Sequence, residues 1–182
     1  MTSREFAELI GEDKIAQIVA LSENVKTLTT MVEMDYSMNP TLNNGDKMLV
    51  SNVFYKPKAG DIVVFKKDSY DPNKALVKRV IATEGQWVEV DYEEGVVRVG
   101  DTKDTMVALE ENYIAEPATT RYYTDTNDYP IQVPANCVFA MGDNRNNSTD
   151  SRSSMVGFVD ENYVLGKAVF RIVPFGNFNI YG

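Results

Sequence analysis

One serine and one lysine of this 182-residue chain stand in settings that could support nucleophilic catalysis. Ser37 begins the stretch Ser-Met-Asn-Pro-Thr-Leu, where Pro40 restricts the backbone and predicts a strand end entering a rigid turn. A serine hydroxyl is a weak nucleophile until a base takes its proton. The sequence contains no histidine, so a Ser-His-Asp arrangement is excluded, and the remaining common base is a lysine with a lowered pKa. Lys78 is the candidate, because it lies in the apolar run Leu-Val-Lys-Arg-Val-Ile.

Composition excludes several classes of function. The chain is long enough for one domain with a sizeable core and a small inserted subdomain. Its net charge of −9 argues against nucleic acids and anionic membrane surfaces as partners. A single cysteine, Cys137, permits neither an intrachain disulfide nor a Cys/His zinc site, and we expect no metal and no cofactor. No segment approaches the roughly eighteen apolar residues of a membrane span, and no cleavable secretory signal is visible.

The first 31 residues predict an amphipathic helix. Thr2 and Glu5 fit a capping box, and apolar residues recur at helical spacing as far as Val32. The opposite face is acidic, whereas helices that lie on membranes carry lysine and arginine there. We therefore expect this helix to pack on its own domain or to self-associate.

From residue 32 onward the spacing of apolar residues becomes strand-like, with glycine-containing turns between the strands. The predicted strands are Lys47–Val53, Asp61–Phe65, Leu76–Thr83, Trp87–Val90, Val96–Val99, Cys137–Met141 and Val164–Val173. The fourth and fifth of these strands predict a hairpin. Residues 100–135 are polar and show little periodicity, so we expect loops and short strands of an inserted cap there.

Four segments occur in the order of the sequence boxes of one protein family. They are Ser-Met-Asn-Pro-Thr-Leu from Ser37 with Gly45-Asp46, Gly-Asp-Ile-Val-Val-Phe from Gly60, Lys-Arg-Val-Ile from Lys78, and the glycine- and asparagine-rich loop over 142–152. With these boxes, residues 32–174 resemble the type I signal peptidases, the bacterial leader peptidases with a Ser-Lys dyad. The resemblance implies a mainly β fold of antiparallel coiled sheets, as in the SOS-repressor proteases. It also implies a catalytic core over 32–85 and 134–182 and an inserted β cap over 86–133. The helical segment over 1–31 would then stand in place of the family's membrane anchor.

The resemblance further implies a serine endopeptidase that removes N-terminal signal peptides from secretory preproteins after a small-x-small motif. Ser37 would attack the peptide carbonyl, and neutral Lys78 would take its proton and return it to the leaving amine. A lysine in water has a pKa of about 10.4, so burial would have to bring this pKa to roughly 7–8. We therefore expect activity to rise with pH through the titration of the lysine.

Other residues would support the dyad or bind the substrate, again as the resemblance implies. Ser148 would bond to the Lys78 ammonium and orient it. Two ion pairs would brace the site: Arg79 with Asp143, and Asp150 with Arg152. Two shallow apolar pockets would be lined by Met38, Leu42, Leu76 and Val77. The substrate would lie extended between the strand before the serine and the strand before the lysine.

Two features depart from the family pattern. Asp35 stands two residues before the serine, where the family places a hydroxyl residue or glycine near the oxyanion hole. A carboxylate aimed there would repel the developing charge, so either Asp35 points away and the Ser37 N–H does more, or activity is impaired. The family is anchored at the extracytoplasmic face of the cell membrane. Residues 1–31 carry no membrane-spanning helix, so we expect a soluble, anchor-free form.

Two other classes of protein stay open. A self-cleaving repressor of the SOS type has a similar fold and Ser–Lys pair. However, it needs a DNA-binding domain before the serine and cuts an Ala-Gly or Cys-Gly bond upstream of it, whereas Ala59-Gly60 follows Ser37. A non-catalytic binding module on the same scaffold is favoured by Asp35 and by the expected absence of an anchor.

Overall fold

The computed structural model describes residues 29–33, 36–52, 55–121, 124–125 and 127–173, which form a mainly antiparallel β structure. Its strands are β1 Thr29–Glu33, β2 Lys47–Ser51, β3 Ile62–Lys67, β4 Asp71–Thr83, β5 Trp87–Asp91, β6 Val96–Gly100, β7 Val107–Ala108, β8 Ile131–Gln132, β9 Cys137–Met141, β10 Val159–Asp160 and β11 Val164–Val173. Short 3-10 helices lie at Tyr36–Met38, Lys103–Thr105 and Glu161–Tyr163. The predicted β fold class is confirmed.

The predicted N-terminal helix lies outside the described residues except at its end, where the prediction is wrong. Thr29–Glu33 form β1, which pairs antiparallel with β2. The sequence of β1 is Thr-Thr-Met-Val-Glu, and its threonines and valine are β-branched residues that fit a pleated sheet better than a helix. Pairing with β2 therefore outweighs the helical spacing of the apolar residues.

The larger sheet contains seven strands in the order β1-β2-β11-β3-β4-β9-β10. Its longest strand is β4, and residues 76–82 of this strand are all buried. β4 begins at Asp71, earlier than the predicted Leu76. The ladder with β3 continues through Ala75 and, after a shift in register, ends at the pair Lys67↔Asp71. The register of β4 with β9 starts only at Arg79. The first half of β4 therefore pairs with β3 on one side, and β9 joins its other side only beyond Lys78.

The smaller sheet has the order β7-β6-β5-β8, and all four strands fall within the stretch predicted as a cap. The predicted hairpin is confirmed, because β5 and β6 pair antiparallel from Trp87↔Gly100 to Asp91↔Val96. One buried apolar cluster contains Ile81 and Phe139 of the larger sheet together with Val88 and Val97 of the smaller one. The two sheets therefore share a core, and the domain limits themselves stay a prediction.

Three segments of the chain meet at Lys78. The first is the 3-10 helix Tyr36–Met38, which follows β1. The second is β4 itself, and the third is the loop that starts at Gly142, directly after β9. Arg79 pairs with Met141 across the β4–β9 ladder, which places the start of this loop next to the lysine.

Candidate active site

Ser37 lies in a single 3-10 turn rather than directly at the end of a strand. The turn is closed by hydrogen bonds from Asn39 N to Tyr36 O at 3.2 Å and from Leu42 N to Met38 O at 2.9 Å. The carbonyl oxygen of Ser37 accepts a hydrogen bond from the N–H of Asn144 at 3.0 Å. Because its backbone is bonded to a second loop, the serine is held from outside its own segment.

Lys78 reaches this serine from β4, 41 residues later in the chain. Its Nζ donates a hydrogen bond to Ser37 Oγ at 2.6 Å and another to the carbonyl oxygen of Val77 at 2.8 Å. The lysine is only 1% exposed and the serine 7%. An amine enclosed in this way is disfavoured in its charged form, because burial removes the hydration that stabilises an ammonium.

The two ion pairs implied by the resemblance are both present in the structure. Arg79 binds the Asp143 carboxylate through two hydrogen bonds of 2.8 and 2.7 Å. Arg152 binds Asp150 through two hydrogen bonds of 2.8 Å each. All four residues are buried. Two-point contacts between guanidinium and carboxylate groups fix geometry as well as charge. The Arg79–Asp143 pair therefore holds the loop against β4, and the Asp150–Arg152 pair fixes the conformation of the loop.

The ionisation of these groups follows from their burial and their partners. Burial by itself raises the pKa of Asp150, but the charge and hydrogen bonds of Arg152 and the N–H of Gly142 together lower this pKa below its ordinary value. Burial alone lowers the pKa of Arg79, and the Asp143 carboxylate more than reverses this effect. Both residues are therefore charged at neutral pH.

Ser148 lies against the segment of Ser37 through Gly142. A Cβ placed at Gly142 would stand 2.2 Å from Ser148 Oγ and 2.4 Å from the Ser37 carbonyl oxygen. Only glycine therefore fits between them without displacing backbone. Ser148 is 2% exposed, and its expected bond to the lysine stays a prediction. Asp35, the other residue expected near the oxyanion, lies outside the described residues.

A cleft of about 210 Å³ opens at the two candidate catalytic residues. It is lined by Tyr36, Ser37, Tyr70, Leu76, Lys78, Asn147 and Thr149. Of the four predicted pocket residues, Leu76 lines this cleft. Met38, Leu42 and Val77 pack together in a buried apolar cluster, so their place in a substrate pocket stays a prediction.

Sequence reasoning missed four residues of this cleft. Three of them could have been inferred from their neighbours in the sequence. Tyr36 directly precedes Ser37, and Asn147 and Thr149 flank Ser148. Tyr70 had no such signal, because it comes from the turn between β3 and β4. Its ring packs on the cluster that contains Leu76, which brings it to the cleft.

The sequence of the chain is similar to the sequences of known proteins. The sequence model of the family described as signal peptidase, peptidase S26 matches residues 14–173. The chain belongs to the signal peptidase family. A probable signal peptidase I-1 of Synechocystis sp. is 41% identical over 148 residues, which are 76% of this chain and 67% of that protein. Thylakoidal processing peptidase 1 of Arabidopsis thaliana is 33% identical over 180 residues, which are 90% of this chain and 48% of that protein.

The predicted resemblance to the signal peptidase family is thereby confirmed. The chain spans about half to two thirds of the length of the two curated relatives. A solved signal peptidase I from Enterococcus faecalis V583 is 29% identical and superposes with a TM-score of 0.47, covering 62% of this chain and 97% of that one. Within the part of the chain that the structure describes, no helix has the length and apolar character needed to cross a membrane.

Proposed function

We propose that this member of the signal peptidase family is a serine endopeptidase that removes signal peptides from preproteins, with Ser37 as nucleophile and Lys78 as general base. The observation that carries the proposal is the 2.6 Å contact between Lys78 Nζ and Ser37 Oγ, with the lysine 1% exposed. A solvated lysine is protonated at neutral pH and accepts no proton. Burial disfavours that protonated form, so the enclosed amine is suited to act as a base.

The reaction begins when Ser37 Oγ attacks the carbonyl carbon of the scissile bond and the hydroxyl proton passes to Lys78 Nζ. The tetrahedral intermediate collapses as the C–N bond breaks, and the lysine ammonium gives its proton to the leaving amine. The signal peptide is then bound to the serine as an ester. Water gives a proton to the neutral lysine and attacks this ester, and the serine oxygen recovers the proton as the acid product leaves.

The first half of β4 offers a place for an extended substrate. Asp71 and residues 75–78 pair with β3, and pairing with β9 on the other side begins at Arg79. A peptide lying along that second side would gain main-chain hydrogen bonds and bring a carbonyl into the cleft beside the dyad. The cleft, of about 210 Å³, has room for the side chain next to the cleaved bond. Small-x-small preproteins, which the family resemblance implies, are the proposed substrates, processed at the extracytoplasmic face of a cell membrane.

Cleavage of a synthetic signal-peptide substrate with alanine one and three residues before the scissile bond tests the proposal. Ser37→Ala and Lys78→Met should each lower kcat by roughly a thousandfold or more. Lys66→Met is the matched control, because Lys66 is an exposed lysine on the neighbouring strand β3, and its activity should equal that of the wild type. Equal turnover in every variant would reject the dyad. A folded wild-type protein that binds the peptide without cutting it would favour a binding module instead.

A further inference from the structure

Asp143 joins the segment of the nucleophile to the strand of the base. Its carboxylate accepts two hydrogen bonds from Arg79, the neighbour of Lys78 on β4. The same carboxylate accepts a short hydrogen bond from the hydroxyl of Thr41, four residues after Ser37. We call Thr41, Arg79 and Asp143 the junction. The side chain of Asp143 is fully buried, so the junction is a fixed connection between the two halves of the dyad.

Tyr113, from the inserted stretch between β7 and β8, covers this junction. The guanidinium carbon of Arg79 lies 4.0 Å from the centre of the Tyr113 ring, which is the geometry of a cation–π contact. The Thr41 hydroxyl lies 3.4 Å from the backbone carbonyl oxygen of Tyr113. Burial raises the pKa of the Tyr113 phenol to about 12, so the ring stays neutral over the range in which proteins are assayed. Tyr113 thus contacts both the serine side and the lysine side of the junction.

Tyr113 is itself held by a second buried ion pair. Its hydroxyl donates to Glu111 Oε1 at 2.9 Å. Glu111 binds the guanidinium of Arg145 through two hydrogen bonds of 2.7 and 2.6 Å, and Nε of Arg145 donates to the carbonyl oxygen of Gly142 at 3.1 Å. The Arg145 side chain is fully buried. The insert is therefore bonded to the same loop whose Asn144 N–H holds the Ser37 carbonyl oxygen.

We infer that Tyr113 is a positioning residue for the Ser37–Lys78 dyad: its aromatic face on Arg79 closes the junction and thereby fixes the distance between nucleophile and base. This inference rests on the proposed function. The cause is geometric, because proton transfer and attack require the two atoms within hydrogen-bonding reach, and a small displacement at a remote support is felt there. Tyr113 contacts Arg79 and Thr41, so it acts on the dyad through them.

Kinetics of three variants separate an aromatic face from simple packing volume. Tyr113→Phe keeps the ring and loses only the hydroxyl, so its kcat should stay close to that of the wild type. Tyr113→Leu keeps most of the volume without a π face, and its kcat should fall by about tenfold while KM changes by less than about twofold. Tyr113→Met is the second non-aromatic variant, should leucine prevent folding. Equal kcat values for the aromatic and non-aromatic variants would overturn the inference.

Amide hydrogen exchange provides a readout that does not depend on activity. Exchange at the Leu42 and Asn144 amides should accelerate in Tyr113→Leu and stay at the wild-type rate in Tyr113→Phe. The reason is that these two amides donate to the carbonyl oxygens of Met38 and Ser37 and so hold the serine segment. Lys103→Met is the matched control, since it removes another cation–π contact of the insert, 4.4 Å from the Trp87 ring. It should change neither kcat nor these exchange rates.

The two proposals can fail separately. If the wild type cleaves the peptide through its dyad and Tyr113→Leu matches Tyr113→Phe in kcat and in exchange, the positioning role is rejected while the proposed function stands. If the wild type cuts nothing but exchange accelerates only in the non-aromatic variants, the proposed function fails while the junction is supported.

Discussion

Asp150 and Arg152 form an ion pair within one loop, and neither side chain has any exposed surface. Two hydrogen bonds of 2.8 Å join them, and Asp150 also accepts the N–H of Gly142 at 2.9 Å. The pair thus connects the end of the loop to its beginning, where Gly142 touches the Ser37 segment. Removing one partner would leave the other buried without the charge that pairs with it.

Asp150→Asn should therefore lower the free energy of unfolding by about 3–5 kcal/mol, because the buried Arg152 guanidinium would lose the carboxylate that binds it at two points. Urea denaturation at neutral pH measures this change. Glu94→Gln is the control, since Glu94 forms an exposed ion pair with Arg98 that should contribute little to stability. A small effect of Asp150→Asn, similar to that of the control, would show that the buried pair does not stabilise the loop.

The same pair predicts how stability depends on acid. The folded-state pKa of Asp150 lies below the ordinary value of 3.8, so its contribution is fully present above that value and is lost as pH falls through the lowered one. The free energy of unfolding of the wild type should consequently decrease more between pH 5 and pH 2 than that of Asp150→Asn. Denaturation series at several pH values test this expectation, and parallel curves for the two proteins would contradict it.

Peptidase activity should rise with pH as Lys78 loses its proton. The base must be neutral to accept the Ser37 proton, so the protonated enzyme present at lower pH is inactive. The logarithm of kcat/KM for the signal-peptide substrate, plotted against pH, should climb with a slope near one and then level off. A profile that stays flat between about pH 6 and pH 10 would exclude Lys78 as the base.

Gly142→Ala should lower kcat strongly, because the new methyl group would stand 2.4 Å from the Ser37 carbonyl oxygen and force the serine segment to move. Gly100→Ala is a matched control, since its methyl group would meet the backbone N of Met106 at 2.6 Å, in the smaller sheet. Both variants should lose thermal stability, but only Gly142→Ala should lose activity per folded molecule. Equal kcat values in the two variants would count against a close fit at Gly142.

Tyr70→Ala should relax the selection of substrate side chains, because the Tyr70 ring forms part of the wall of the cleft beside the dyad. Peptides with leucine or phenylalanine before the scissile bond should gain about tenfold or more in kcat/KM relative to the alanine peptide. Tyr163→Ala, which removes an exposed tyrosine that does not line this cleft, should leave the preference unchanged. An unaltered preference in Tyr70→Ala would place the selection elsewhere.

Local patterns predicted much of the β core. The limits of β9 and β11 agree with the prediction at both ends. β9 is a continuous apolar run, whereas β11 is mainly apolar but contains Gly166, Lys167 and Arg171. The start of β4 was placed too late, because residues 71–75 form no apolar run and become part of the strand only by pairing with β3 at Asp71 and Ala75. Residues 29–31 were assigned to a helix for a similar reason, since only their partner β2 makes them a strand.

By itself, the sequence determined which chemistry is available: the absence of histidine left a lysine as the candidate base for Ser37, and the order of the boxes indicated the family. Tertiary structure alone decided that Lys78 Nζ lies 2.6 Å from the serine, that Tyr70 lines the cleft and that Tyr113 covers Arg79. The physical reason is that residue type and periodicity report local preference, whereas these contacts join segments far apart in the chain. Such contacts depend on strand register and on the buried ion pairs that hold the loops together.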